Sequence, residues 1–202
     1  MGRREESALR KDDVKMSDEI YSFLDRTFYA NETANFERVT DKARQVSGID
    51  VIFDIDGNHY TADEKAAVRY RNLKTYTLEL SFINRNGEVQ NGWFINDNLK
   101  NNSYVFVWVD KDETTGKESV TVAVIMKSAI HKYLEEKGWT KENLARKEEL
   151  IRSGAYTYMG NLHTDGCRFI FSQQLVEQPI NIQLSRDVYM KLADKVWTED
   201  LD

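Results

Sequence analysis

Side chains alternate along 49–55, where Ile49, Val51, Phe53 and Ile55 share one apolar face of a strand and Asp50 and Asp54 the other, with Ile52 between them. Asp56-Gly57 follows at once. A two-residue type I′ turn needs positive φ at both central positions, which Asp-Gly tolerates, so this stretch reads as a β-hairpin with one core face and one acidic face. With Asp56-Gly57 as the loop, Ile55 pairs with Asn58, Asp50 falls opposite Asp63, and Lys65 lies on their face. With Gly57-Asn58 as the loop, Asp50 meets Lys65 instead and the three groups stay together.

Elsewhere the period changes. From Ser17, Ile20, Phe23, Leu24 and Phe28 recur at helical spacing, preceded by a charged, aperiodic arm over 1–16. A second helix is predicted over 35–46, with Phe36, Val39, Ala43 and Val46 inward, Glu37, Asp41 and Gln45 outward, and Gly48 as its stop. The stretch 66–73 fits helix or loop. Strands are predicted at 75–83, 89–95, 104–109 and 120–126, the first ones as a meander extending the hairpin's sheet. Helices follow over 128–137 and 141–153, the latter capped by Thr140, then short strands at 168–172 and 180–184 and a closing helix over 185–196. The class is mixed α+β.

Composition narrows this picture. The chain has 202 residues, 41% apolar and 31% charged, with Pro179 its only proline and no low-complexity tract, so one domain over 17–202 is expected. Cys167 stands alone, which removes disulfide frameworks and thiolate zinc clusters. No apolar run approaches the length of a membrane span and no secretory leader is evident, so a cytoplasmic protein without membrane contact is expected. The net charge of −6 argues against a surface that is basic throughout, although Arg69, Arg71 and Lys74, and Arg146, Lys147 and Arg152, form local basic segments. His59, His131 and His163 have no metal-ligand spacing, and the four tryptophans are dispersed as core residues are.

The chemistry is therefore concentrated in the hairpin. Asp50, then Asp63-Glu64-Lys65 on the returning strand, resembles the signature of the PD-(D/E)XK nuclease superfamily. The segment GID…DEKAA, followed by LKTYTLELSFI and then GW, is similar in particular to a bacterial and phage-borne group of that superfamily, best over about residues 35–110. The resemblance implies a restriction-endonuclease-like fold, a mixed central sheet flanked by helices with the site on a hairpin. It also implies Mg²⁺, or Mn²⁺ in its place, held by Asp50, Asp63 and the Glu64 carbonyl, with Lys65 acting on the attacking water or the transition state. Glu37, with Asp41 as the alternative, would add an acid from the preceding helix, and Glu79 an auxiliary carboxylate from the next strand. DNA is then the expected partner, with a homodimer left open.

Two other functions compete. A silent member of the same fold would bind nucleic acid or protein without cleaving. A haloacid-dehalogenase-type phosphatase is suggested by VIFDIDGN, whose acceptor would be Asp54, but Asn58 stands where that family usually has Thr. A calcium loop fails on spacing, because Ile52 would occupy its first ligand position.

Overall fold

Strand periodicity builds the first of two sheets. In this computed structural model, which describes residues 15–154 and 158–201, β1 (Ala34–Arg38), β2 (Val51–Ile55), β3 (Asn58–Arg71), β6 (Ser103–Lys111), β7 (Glu118–Met126) and β11 (Lys195–Leu201) form a six-stranded sheet in the order β1-β2-β3-β6-β7-β11. All neighbours are antiparallel except β3 and β6, which run parallel, so the sheet is mixed. A parallel pair cannot be joined by a tight turn. Residues 72–102 supply the crossover, and β4 (Thr75–Ile83) and β5 (Val89–Asn91) lie within it.

The chain divides into two compact units, one formed by residues 1–73, 101–126 and 193–202, the other by 74–100 and 127–192. In the first, helix α1 spans residues 15–32, with a π-helical stretch at Asp25–Tyr29. Its Ile20, Leu24 and Phe28 recur every fourth residue, the spacing that puts them on one face. That face packs with Val51, Phe53, Val105, Val107, Val122 and Val124 in one buried cluster. Leu24 and Phe28 are both fully buried, each contributing roughly 1.5–3 kcal/mol of transfer free energy. Phe53 stacks on Tyr60 at 5.2 Å, and Phe28 meets Phe53 edge-on at 6.5 Å, so the hairpin and α1 share an aromatic core. Strands β6 and β7 are buried on both faces over most of their length, and accordingly read as runs of valine and aromatic residues.

The second unit contains the antiparallel sheet β5-β4-β10-β9-β8, with β8 at Tyr158–Asn161, β9 at Cys167–Phe171 and β10 at Ile180–Ser185. Its helices are α3 (Lys127–Glu136), α4 (Lys141–Arg152), and the short α5 (Leu162–Asp165) and α6 (Arg186–Leu192). Thr140 caps α4 as expected, accepting a hydrogen bond from the Asn143 amide. Cys167 is buried, and burial pushes its thiol up to about 11. His131 stacks on Phe94 at 4.6 Å, and burial pushes its pKa down. Trp139 stacks on Phe169 at 4.6 Å, in keeping with a core role.

Several expectations are corrected. The stretch 35–46 is not one helix. Its first part is the edge strand β1, Asn35 sits at φ 53°, and only α2 (Lys42–Val46) is helical, capped by Asp41, whose Oδ1 accepts from the Arg44 amide. The apolar spacing fits a helix, but Arg38 and Glu37 pair with Val51 and Ile52, so the partner strand decides. The stretch 66–73 mostly continues β3, which runs to Arg71. β4 and β5 do not extend the hairpin's sheet, because β6 takes the free edge of β3 and β4 pairs with β10. The closing helix ends at Leu192, and Val196 lies in β11 against β7. Expectations for residues 1–14 and for the His163 side chain lie outside the described residues.

Candidate active site on the central hairpin

The turn at Asp56-Gly57 has φ values of 50° and 81°, both positive, as a type I′ turn requires. Pairs from Ile55 with Asn58 to Val51 with Ala62 follow from it, and the Asp50 amide donates to the Ala62 carbonyl at 2.9 Å, carrying the ladder to Asp50 opposite Asp63. The Asp50 side chain is fixed as well: its Oδ2 accepts from the Glu64 amide at 3.0 Å. Two residues beyond Asp63 on the same face, Lys65 places its Nζ 2.8 Å from Asp63 Oδ2. Asp50, Asp63 and Lys65 therefore come together from both strands of one hairpin.

Asp63 is 5% exposed, and its pKa is pushed up to about 7. Burial is the largest cause, Lys65 opposes it, and the neighbouring Asp50 carboxylate adds to it. Near neutral pH the group is thus balanced between a carboxylic acid and a carboxylate. Tyr104, Phe106 and Trp108 of β6 stand beside Asp63, Lys65 and Ala67 in the parallel register, all three buried, and form an aromatic row with ring separations of 5.7 and 6.0 Å.

On the opposite face of β3, Glu64 is 6% exposed and fully engaged. Tyr29 donates its hydroxyl to Oε1 at 2.6 Å, and Arg38 Nη1 lies 2.5 Å from Oε2. Arg38 also forks onto Asp25, with Nε at 2.9 Å and Nη2 at 2.6 Å, while its guanidinium lies 5.3 Å over the Tyr21 ring. Burial pushes the Glu64 carboxyl up while Arg38 pulls it down; burial also works against the Arg38 charge, but hydrogen bonds to Asp25 and Glu64 outweigh it and keep the guanidinium protonated. The Tyr29 hydroxyl is pushed well up, first by burial and then by Glu64, which keeps it a donor.

The auxiliary acids are placed differently from expectation. Glu37 is on β1 rather than a helix; opposite Ile52, it lies on the same sheet face as Asp50 but is exposed and pairs with Arg44 at 2.5 Å. Asp41 is occupied as the α2 cap. Glu79 lies in β4 of the second sheet, opposite Asn181, so the adjacent-strand argument for it does not hold. Asp54 is on the exposed end of the hairpin, where Asn35 Nδ2 at 2.6 Å and His59 Nδ1 at 2.7 Å hold its carboxyl below its ordinary range.

Sequence reasoning missed Arg38, Tyr29 and Asp25. They lie 26, 35 and 39 positions before Glu64 with no local spacing to tie them to it. The available signal was Glu64 itself, an acid on the hairpin's apolar face that needed a buried partner.

Fold and site together define a mixed α+β protein with a mixed central sheet flanked by helices, whose hairpin gathers two carboxylates and a lysine. Comparison with protein-family models, curated proteins and solved structures gave no match. Among the described residues no helix is long and apolar enough to cross a membrane.

Proposed function

We propose that this chain is a divalent-metal-dependent nuclease of the PD-(D/E)XK type, with a restriction-endonuclease-like core, hydrolysing phosphodiester bonds in DNA. The observation that carries the reading is the buried Asp63 beside Asp50, with the Lys65 amine 2.8 Å away on the same strand face. Opposed carboxylates inside a protein repel one another, and a cation between them removes that cost.

The donor set fits a hard cation. Among the described residues no three His, Cys, Asp or Glu side chains gather as a metal site, so the protein's side-chain donors here are Asp50 and Asp63. Mg²⁺ is commonly held by one or two carboxylates and keeps several waters, and the Glu64 carbonyl is the further donor implied by the resemblance. When bound, such an ion supplies Lewis-acid stabilisation of phosphate charge and an acidified water. The residues of the chain do the rest. Asp50 and Asp63 supply carboxylate oxygens, and Asp63 gives up its proton to do so. Lys65 presents an ammonium at the same place, suited to orient a water or to offset charge on the phosphate oxygens. Arg38 and Tyr29, by holding Glu64 from behind, fix the strand segment on which Asp63 and Lys65 stand.

The phosphatase alternative draws less support. Its acceptor strand should lead into a parallel β-α-β unit, whereas Asp54 stands in an antiparallel hairpin and is already bonded to Asn35 and His59. Nicking of supercoiled plasmid in Mg²⁺ tests the proposal: Asp63→Ala and Lys65→Ala should abolish it and Asp54→Ala should retain it. Parental nicking by Asp63→Ala would overturn it.

A further inference from the structure

The basic segments visible in the sequence are largely engaged once folded. Arg71 forks onto Glu118 at 2.9 and 3.0 Å, Arg152 bonds Glu148 and Ser81, and Lys147 lies 4.0 Å over the Trp139 ring. Lys74, from the first of those segments, instead joins cations that converge in the unit formed by 74–100 and 127–192. There an open pocket of about 700 Å³ is lined by Lys74, Lys137, Arg186 and Lys191. These come from three distant stretches: the lead-in to β4, the end of α3, and helix α6.

The backbone holds them together. The Arg186 amide donates to the Lys74 carbonyl at 2.8 Å, and the Ser185 amide to the Gly166 carbonyl at 3.1 Å. Gly166 sits at φ 71°, and a Cβ there would fall 2.6 Å from the Tyr133 hydroxyl, so this part of the wall must be bare. Tyr133 itself is tied to the Asp165 carbonyl at 3.1 Å.

Charge decides what the pocket suits. Lys74, Lys137 and Lys191 are exposed, and among the described residues none of the three enters an ion pair, although the Lys137 amine lies 5.7 Å over the Tyr133 ring, farther than Lys147 from Trp139. Two acids, Asp165 and Asp187, also line it, and Asp165 Oδ2 accepts from the Asn161 amide. Four cations against two acids make the pocket positive in a chain whose net charge is −6. Such a concentration of ammonium groups around one concavity favours a ligand with several spread charges. An extended phosphate chain meets that need better than a single carboxylate, which one bidentate arginine would satisfy. The rim cations are exposed, which suits a strand that passes through rather than a small molecule that must be enclosed.

We propose that this pocket binds backbone phosphates of a nucleic-acid strand. The identity of the polyanion rests on the nuclease reading; the binding itself requires no cleavage. The test is fluorescence anisotropy of the full chain with a labelled DNA duplex and a labelled single strand, in EDTA across a salt series. It compares the parent, Lys74→Gln/Lys137→Gln/Lys191→Gln, and a control pair of exposed lysines, Lys100→Gln/Lys117→Gln. Melting curves establish that the variants fold, and Lys137→Glu gives a second, single-site readout.

The triple variant should lose roughly tenfold or more in affinity and flatten the log-affinity against log-salt slope by about 2–3. Lys137→Glu should weaken binding, and the control pair should bind as the parent does. Parental affinity and slope in the triple variant overturn the proposal, as does a parent that binds a mononucleotide but neither strand. Separate failure of the nuclease reading remains visible. Triple-variant loss of binding in a protein that never nicks DNA leaves the pocket standing and removes the nuclease, whereas parental binding by the triple variant of a protein that nicks DNA does the reverse.

Discussion

Asp63 and Glu64 are adjacent acids, both nearly inaccessible, on opposite faces of the same strand, and they are treated in opposite ways. Glu64 has a donor on each oxygen, Tyr29 on one and Arg38 on the other, and Arg38 is itself backed by Asp25. Asp63 has Lys65 on one side and a second carboxylate, Asp50, on the other, and its proton is held to about pH 7. The first arrangement neutralises a buried charge within the protein. The second keeps two carboxylates together beside one lysine, the imbalance that the proposed metal site would relieve. Burial alone does not separate the two acids, and neither does a neighbouring cation, which both have; the second carboxylate at hydrogen-bond range of Asp63 does.

That contrast can be broken from either face. On the Asp63 face, Asp63→Asn should reduce Mg²⁺-dependent nicking by about 10³-fold or more while the protein stays folded, as assayed on plasmid and by melting. On the Glu64 face, Arg38→Ala should act on stability first. It leaves Glu64 and Asp25 facing each other without their shared cation, a loss of about 3–5 kcal/mol in denaturant unfolding. Arg38→Ala/Glu64→Gln should recover part of that loss, and a double variant as unstable as the single one would contradict the pairing.

The pH response sharpens the comparison further. A group whose pKa is raised on folding, here from 3.8 to about 7, adds stability that is complete below the unfolded value and disappears as pH rises through the folded one. Without metal, unfolding free energy should therefore fall between about pH 4 and pH 7, Asp63 contributing on the order of 4 kcal/mol at most. Chemical denaturation across that range should show the decline reduced in Asp63→Asn. A smaller effect is expected at the hairpin turn, where Gly57→Ala forces a side chain onto φ 81° at about 1 kcal/mol. Smallest of all, Asp54→Asn should leave nicking at the parental rate.

The hairpin was legible because two local signals agree there: an apolar face at every second residue from Ile49 to Ile55, and a turn type at Asp56-Gly57 that fixes the pairing. The observed pairs from Ile55 with Asn58 onward follow from the first of the two loops considered, Asp56-Gly57. The stretch 35–46 was misread because Phe36, Val39, Ala43 and Val46 satisfy a helical period, and nothing local says that β2 presents an edge for 34–38. Glu79 was grouped with the hairpin by sequence adjacency, and the parallel pairing of β6 to β3 breaks that adjacency. Arg38 and the Lys74, Lys137 and Lys191 set were illegible for a common reason: they meet their surroundings only through contacts between distant parts of the chain.

The order in which the strands are made has its own consequence. β7 acquires its second neighbour, β11, only after residues 127–194 have been synthesised. At ribosomal speeds of about 5–20 residues per second, the outer edge of β7 waits roughly 3–14 s for its partner. That strand carries Val120, Val122 and Val124, all fully buried in the finished molecule. Until β11 arrives, the unpaired N–H and C=O groups along β7 are an open strand edge, the feature through which chains pair with one another.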